Sequence, residues 1–373
     1  EDIKGRNLLK SWAALLNCSH RLDSMGNLFI RRESNNGKAP VLMGSHLDTQ
    51  PCGGRFDGVL GVLSALEVLR VLEENNIKTE HPLEVVVWTN EEGARFSPAM
   101  MGSGVFSGVF KQSEIFLQED NNGVSVEQAL HHSDQLGSVA CKSFPIKAYY
   151  ELHIEQGPVL ELENKTIGVV TGAQGISWNH VTLNGQTAHA GTTPMNYRKD
   201  PVFGMAQIVR GLQKIIKEQK DSLYTVGRVE SKPDSINSVA NTVFFTVDLR
   251  HSEDAILKIM QQKFKNLIDE VCVEQNLTSE LNNIWHSPAI SFNENCILKV
   301  KIATEKLGYS YQNIVSGAGH DACQISYVAP VGMIFIPCKG GLSHNEAESI
   351  SPENAQAGAN VLLNAVLESS VIN

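Results

Sequence analysis

Short apolar runs alternate with helical periodicity along the first half of the chain, and each run ends in a polar cluster. The run from Val41 to Met43 leads into Gly44-Ser-His-Leu-Asp48, and Leu83 to Trp88 leads into Thr89-Asn-Glu-Glu-Gly93. A third run, Ala148 to Ile154, carries His153 near its end. Between the first two, residues 59–74 place Ser64, Glu67, Arg70 and Glu74 every three or four positions, leaving a wide apolar face. Strands of this kind, interleaved with amphipathic helices, pack only as an α/β layered sheet with helices on its faces. Ligands of such sheets gather beyond the carboxyl ends of the strands, which is where the polar clusters fall.

The middle third reads differently. A strand near Ile176–Leu183 precedes a helix from Pro201 to about Gln219, with Asp200 as N-cap and Pro201 in the first turn. Strands follow at Leu223–Glu230 and Thr242–Arg250, then a helix from about Glu253 to Val271 and a strand near Glu280–Trp285. The order β-α-β-β-α-β is that of a small ferredoxin-like α+β domain. The last third returns to helix, strand (Val331–Ile336) and helix. The expectation is therefore a catalytic domain with a mixed, mostly parallel sheet from residues 1–175 and 292–373, and an inserted lid or dimerisation domain from 176–291. A length of 373 residues also favours two domains.

Charge and cysteine usage exclude several partners. Net charge is −10, spread thinly, which disfavours nucleic acid and anionic membrane. No apolar run reaches the roughly 18 residues a membrane span needs. Seven cysteines without a C-x-x-C pair argue for a reducing compartment, the cytoplasm. The chain begins within a helix (Ile3 to Leu16), so a preceding segment, with any targeting signal, is expected to be missing. Three sequons are short enough to arise by chance.

Seven residues carry the chemistry. His46 and Asp48 stand two apart at a strand end and point the same way, so Asp48 can hydrogen-bond the ring nitrogen that His46 withholds from a metal. A structural histidine gives the same tripeptide. Asp57 lies in Gly53-Gly-Arg-Phe-Asp-Gly58, whose glycines allow a bend that delivers the carboxylate inward; a turn with a helix cap uses the same residues. Glu91 and Glu92, adjacent carboxylates after a strand, call for a cation, one binding it and the other facing its water. A solvated acidic loop is the alternative. With His153 and His344 they form a donor set of oxygen and nitrogen, without cysteine, suited to Zn²⁺, Mn²⁺, Co²⁺ or Ni²⁺.

Longer motifs narrow the choice. Gly44-Ser-His-Leu-Asp-Thr-Gln-Pro51, Asn90-Glu-Glu-Gly-Ala-Arg95, Glu151-Leu-His-Ile-Glu-Gln-Gly-Pro158, Ala188-His-Ala-Gly-Thr-Thr-Pro194, Ser316-Gly-Ala-Gly-His-Asp-Ala322 and Leu342-Ser-His-Asn345 closely resemble the N-carbamoyl-amino-acid hydrolases. These form the amidase branch of the zinc aminopeptidase-like hydrolases, with β-ureidopropionase and the allantoate and ureidoglycolate amidohydrolases. The resemblance spans almost the whole chain, in order.

The resemblance implies two divalent ions per subunit, Zn or Mn with Co or Ni as alternatives, held by His46, Asp57, Glu92, His153 and His344, with Asp57 bridging. Glu91 becomes the general base. In peptidase relatives a carboxylate usually stands where His153 stands, so His153 points to the amidase branch. His189 is implied to reach the partner subunit's site in a homodimer and to stabilise the oxyanion. Asn237 and Arg250 are implied to grip the carboxylate of a small-molecule substrate, with Gln156 and Gly319 as further contacts. Read without the family, His189 is a loop histidine and Arg250 a strand-end salt bridge. A proline-glycine turn common in the family reads Ala240-Asn241 here, and only a local change is expected.

The expected reaction is cleavage of the ureido group of an N-carbamoyl amino acid, such as N-carbamoyl-β-alanine or an N-carbamoyl-L-amino acid, releasing ammonia and CO₂. The alternative is an allantoate or ureidoglycolate amidohydrolase. A non-catalytic binding protein on this scaffold predicts eroded ligands, yet all five ligand positions and Glu91 are present. Gly317-Ala-Gly319 lacks the rest of a dinucleotide fingerprint, which argues against an oxidoreductase.

Overall fold

The computed structural model describes residues 2–34 and 37–370. Glu1, the chain start from which a preceding segment was inferred, lies outside them. Among the described residues fifteen strands follow in order: β1 (Ser19–Leu22), β2 (Leu28–Arg32), β3 (Val41–His46), β4 (Leu83–Trp88), β5 (Ala148–Ile154), β6 (Ile167–Ala173), β7 (Gly175–Asn184), β8 (Ala188–His189), β9 (Leu223–Lys232), β10 (Ser238–Val239), β11 (Thr242–His251), β12 (Thr278–Ser287), β13 (Ile290–Ser291), β14 (Tyr311–Ser316) and β15 (Val331–Ile336). The chain divides into two compact units, one of Glu1–Gly172 with Ser291–Asn373 and one of Ala173–Ile290.

The larger unit is built on a mixed sheet of order β1-β2-β4-β3-β5-β15-β6-β13, with β14 also pairing β6. Its parallel character is concentrated in the four central strands, β4, β3, β5 and β15. The pairings β1–β2, β2–β4 and β15–β6 are antiparallel. Every residue of the four central strands is buried, as parallel strands covered on both faces require, and this is why they read as unbroken apolar runs. The helices Val59–Glu74 and Pro352–Ser370 pack one face through Val62, Leu69, Val361 and Leu362. Phe29, Trp88, Phe106 and Tyr149 make a ladder of edge-on and tilted ring contacts. The edge strand β1 and its neighbour β2 are too short, and too rich in arginine, to stand out by pattern.

Because β3, β4, β5 and β15 run the same way, their carboxyl ends share one sheet edge. His46 closes β3 and His153 lies one residue before the end of β5, in register with Phe335 of β15. The chain leaving β4 carries Glu91 and Glu92, and the chain leaving β15 carries His344.

The smaller unit is a four-stranded antiparallel sheet of order β12-β7-β11-β9, with helices Pro201–Glu218 and Asp254–Gln275. Along β11, Val243, Phe245, Val247 and Leu249 are buried, and they pack against Ile208, Leu212, Met260 and Phe264 of the helices. Asp200 caps the first helix, its carboxylate accepting the N–H groups of Val202 and Phe203 at 3.0 and 3.3 Å. The second helix runs past Val271 to Gln275, where Asn276 ends it in a left-handed conformation (φ 53°). Among the described residues no helix is long and apolar enough to cross a membrane.

A candidate metal centre at the strand ends

His46 and His153, at the carboxyl ends of β3 and β5, are both buried. Each turns Nδ1 to a main-chain carbonyl: His46 to Asp48 O at 2.9 Å and His153 to Ile154 O at 2.9 Å. A ring that donates from Nδ1 presents the lone pair of Nε2, and both Nε2 atoms face Asp57 Oδ1, at 3.5 Å from His46 and 3.1 Å from His153. Gly58 lets the loop pass this close. It has φ 68°, and a Cβ there would stand 2.4 Å from the His46 ring.

Asp57 faces two ways. Its Oδ2 lies 3.5 Å from His344 Nε2, which is itself 3.2 Å from Glu92 Oε2. The ligand atoms thus form two groups, His46–Asp57–His153 and Asp57–Glu92–His344, each with all atoms within 4.8 Å of one another and Asp57 common to both. Oδ2 also accepts Gln156 Nε2 at 2.7 Å and Ser343 Oγ at 2.9 Å. His344 is half exposed and sits at φ 53° on its loop.

Asp48 acts otherwise than its spacing suggests. Its carboxylate lies 3.8 Å from the His46 ring and instead accepts the N–H groups of Glu91 (3.2 Å) and Glu92 (3.1 Å). It is the Asp48 carbonyl that takes the imidazole proton. The side chain therefore fixes the turn that aims the glutamate pair. Glu92 Oε2 accepts Gln50 Nε2 at 2.9 Å, while Glu91 Oε2 stands 3.6 Å from His46 Nε2.

The electrostatics favour a cation here. Burial works against a charged His46, but Glu91 and Asp57 outweigh it and raise its pKa well above the usual value. His153 is likewise raised against its burial, by the Asp57 hydrogen bond. Asp57, though buried, is held below the usual carboxylate range by its pairing with His153 and His46 when these rings are protonated. Burial, with Asp321 and Asp48 nearby, pushes Glu91 well above that range despite the pull of His46. A divalent ion competes for the same lone pairs as these protons. The donor set fits one: imidazole nitrogens already oriented, carboxylates of adjacent loops, and a buried Glu92 Oε1 with no hydrogen-bond partner.

Behind this centre lies a polar layer that the sequence did not single out. Glu151, fully buried, accepts Ser45 Oγ (2.7 Å), Tyr149 Oη (3.0 Å) and Ala322 N (2.9 Å). His320 packs on His153 with ring centroids 4.6 Å apart, and burial beside His153 keeps it neutral by lowering its pKa well below the usual value. Asp321 accepts Ser103 Oγ. The alternation of β5 placed Glu151 on the His153 face, and that was the available signal. Gly319 belongs to the same loop; a Cβ there would stand 2.9 Å from Met100 Cε.

The smaller unit brings two of the remaining residues together. β8 pairs β10, so Ser238 stands opposite His189 and Ala190 N donates to Asn237 O at 3.1 Å. His189 is exposed, and its Nδ1 accepts the N–H groups of Gly191 (3.0 Å) and Thr192 (3.3 Å). The proton is thereby directed to Nε2. Arg250, on β11, makes the strand-end ion pair considered from sequence, its Nε and Nη2 donating to Asp248 Oδ2 at 3.0 and 2.8 Å. Asn241 avoids positive φ, and its N–H reaches Lys232 O at 2.7 Å.

Comparison with known proteins places these features in a family. Residues 42–368 match the family model described as peptidase family M20/M25/M40. Over its full length the chain is 46% identical to an N-carbamoyl-L-amino-acid amidohydrolase of Rhizobium meliloti, 90% of which it covers. It is 34% identical over 92% of its length to an allantoate amidohydrolase of Bacillus subtilis, covering 84% of that protein. A crystal structure of a hydantoinase/carbamoylase family amidase from Burkholderia multivorans superposes with a TM-score of 0.97 at 46% identity, covering all of this chain and 91% of that one.

Proposed function

The chain belongs to peptidase family M20/M25/M40, and on that footing we propose that it is a metal-dependent amidohydrolase that cleaves the ureido group of an N-carbamoyl-L-amino acid. The observation that carries the reaction class is the sharing of Asp57 between two ligand groups at one sheet edge. The substrate class is supported by the full-length likeness to the Rhizobium meliloti enzyme. Allantoate remains the lesser reading, supported by the lower identity to the Bacillus subtilis protein.

We assign two ions per subunit, Zn or Mn, one to His46, Asp57 and His153 and one to Asp57, Glu92 and His344. When bound, two divalent cations acidify a water and polarise the substrate carbonyl. Glu91, held by Asp48 through its own main chain, takes a proton from the attacking water and passes it to the leaving nitrogen. The bond from the ureido carbon to that nitrogen breaks, leaving a carbamic acid whose remaining C–N bond then breaks with spontaneous loss of CO₂, so that the products are the free amino acid, ammonia and CO₂. His189, protonated at Nε2, donates to the developing oxyanion. Arg250, oriented by Asp248, and Asn237 hold the substrate carboxylate, since a guanidinium presents parallel donors matched to two oxygens. Gln156 steadies Asp57 and, with Gly319, lines the substrate position.

We take the unit Ala173–Ile290 as the lid and dimerisation domain of a homodimer in which His189 serves the partner's site. The seven cysteines are free thiols, six of them buried, which suits the cytoplasm. The test is a substrate panel on protein stripped with chelator and reconstituted with Zn²⁺, Mn²⁺, Co²⁺ or Ni²⁺. Turnover of N-carbamoyl-L-amino acids, alone or with N-carbamoyl-β-alanine, is expected. Exclusive turnover of allantoate would overturn the substrate assignment.

A further inference from the structure

Asp57 is held at its main chain by a residue with no part in the chemistry above. Glu348 is buried, and its Oε1 accepts the N–H groups of Phe56 at 2.8 Å and Asp57 at 3.1 Å. Its Oε2 lies 3.2 Å from Ser343 Oγ, the hydroxyl that also reaches Asp57 Oδ2 at 2.9 Å. Gly54 leaves room for this carboxylate: a Cβ at that position would stand 2.0–2.3 Å from all three of its atoms. Two loops from opposite ends of the chain, residues 53–58 and 341–348, are thus tied by one carboxylate.

Glu348 is not itself a donor to the centre, because Oε1 is committed to two amides and Oε2 to Ser343. The two ligand groups depend on this tie unequally. His46 and His153 sit on fully buried central strands, whereas His344 is half exposed on a loop at positive φ. That loop meets Asp57 through Ser343 and Glu348. We propose that Glu348 is a positioning residue that locks the His344 loop to Asp57, and so sets the affinity of the Asp57–Glu92–His344 group while leaving the His46–Asp57–His153 group almost untouched. This rests on the two-ion reading above.

The role is geometric, so an amide can fill it. In Glu348→Gln the side-chain oxygen still accepts both N–H groups, and the new NH₂ donates to Ser343 Oγ, whose own proton goes to Asp57. Glu348→Ala removes all three contacts. Gly54→Ala attacks the same tie from the other side without altering any donor to the ions.

The experiment is titration of chelator-stripped, full-length protein with Co²⁺, followed by calorimetry and by the visible d–d absorption of each bound ion. Melting temperatures verify that each variant is folded. Wild type is expected to take up two ions. Glu348→Ala and Gly54→Ala should weaken one of them by about 10- to 100-fold, the range for loss of an outer-shell partner, and shift its absorption alone. Glu348→Gln should behave like wild type. Two unchanged ions in both disruptive variants would overturn the proposal alone. An equal loss in Glu348→Gln and Glu348→Ala would replace positioning by charge and overturn it as well. A single ion in wild type would instead overturn the two-ion reading and this proposal with it.

Discussion

Gly58→Ala tests whether the loop's approach to His46 is as tight as its geometry indicates. Two effects combine at this position. An L residue at φ 68° is strained, at about 1–2 kcal/mol. The added Cβ would also stand 2.4–2.6 Å from three atoms of the His46 ring, where ordinary contact begins at 3.4 Å, so ring or loop has to give by about 1 Å. A displacement of about 1 Å at a reacting centre costs on the order of 10²-fold in turnover. The strain is separated from the clash by Gly308→Ala, because Gly308 has φ 71° and nothing within 4 Å of its would-be Cβ. Both variants should lose stability in thermal melts, Gly58→Ala the more, because it adds the clash to the strain. Only Gly58→Ala should lose metal affinity in Co²⁺ titration and turnover with the best substrate of the panel. If Gly58→Ala matches Gly308→Ala in metal uptake and rate, the packing argument around His46 is wrong.

Three further outcomes are expected. Glu91→Gln should keep its metal content by elemental analysis and lose about 10²- to 10⁴-fold in kcat, and wild-type turnover would remove Glu91 from the role of base. Heterodimers of His189→Ala with Glu91→Gln should recover part of the activity that neither homodimer shows, because one of the two sites then carries both intact groups; no recovery in verified heterodimers would refute a shared site. The third concerns pH. Glu91, His46 and His153 are all raised in the folded chain, so it retains protons that the unfolded chain has released. Stability of the chelator-stripped protein should therefore fall as pH rises, through Glu91 from about 4.5 and through the two histidines from about 6.5, the unfolded values. His320, lowered in the folded chain, works in the opposite sense only below about 6.5. Metal-loaded protein should show a flatter melting profile across the same range, and identical slopes would count against proton–metal competition.

How much could be read in advance follows from how local each signal is. The central strands announced themselves because parallel strands buried on both faces need unbroken apolar runs, and β4, β5 and β15 begin and end where the pattern does. The helix Val59–Glu74 was equally plain from its periodicity. β1, β2 and β6 were not, being short or mixed in polarity. At the site, residue types and strand-end positions pointed to a set of donors, but not to their second partners. Asp48 illustrates the limit: a spacing of two placed it beside His46, yet its carboxylate went to the Glu91–Glu92 turn, whose approach only the fold decides. Glu348 was invisible for a similar reason. Its partner Phe56 is 292 positions away, and nothing local separates it from Glu346 beside it.

The position of β15 has a consequence for how the protein is made. This strand lies between β5 and β6, yet it is synthesised after the whole of the unit Ala173–Ile290. As the nascent chain emerges, β5 has one apolar edge paired with β3 and the other open until residue 331 appears. An open, buried-type edge is a template for pairing with other chains, and closure over so long a sequence separation is slow. The ordering of translation therefore leaves a window in which the smaller unit has the means to fold and the larger does not. Slowed elongation after residue 290 would widen that window and favour aggregation, whereas a fast run through the last strand and helix would seal the sheet and deliver His344 to ligands already waiting.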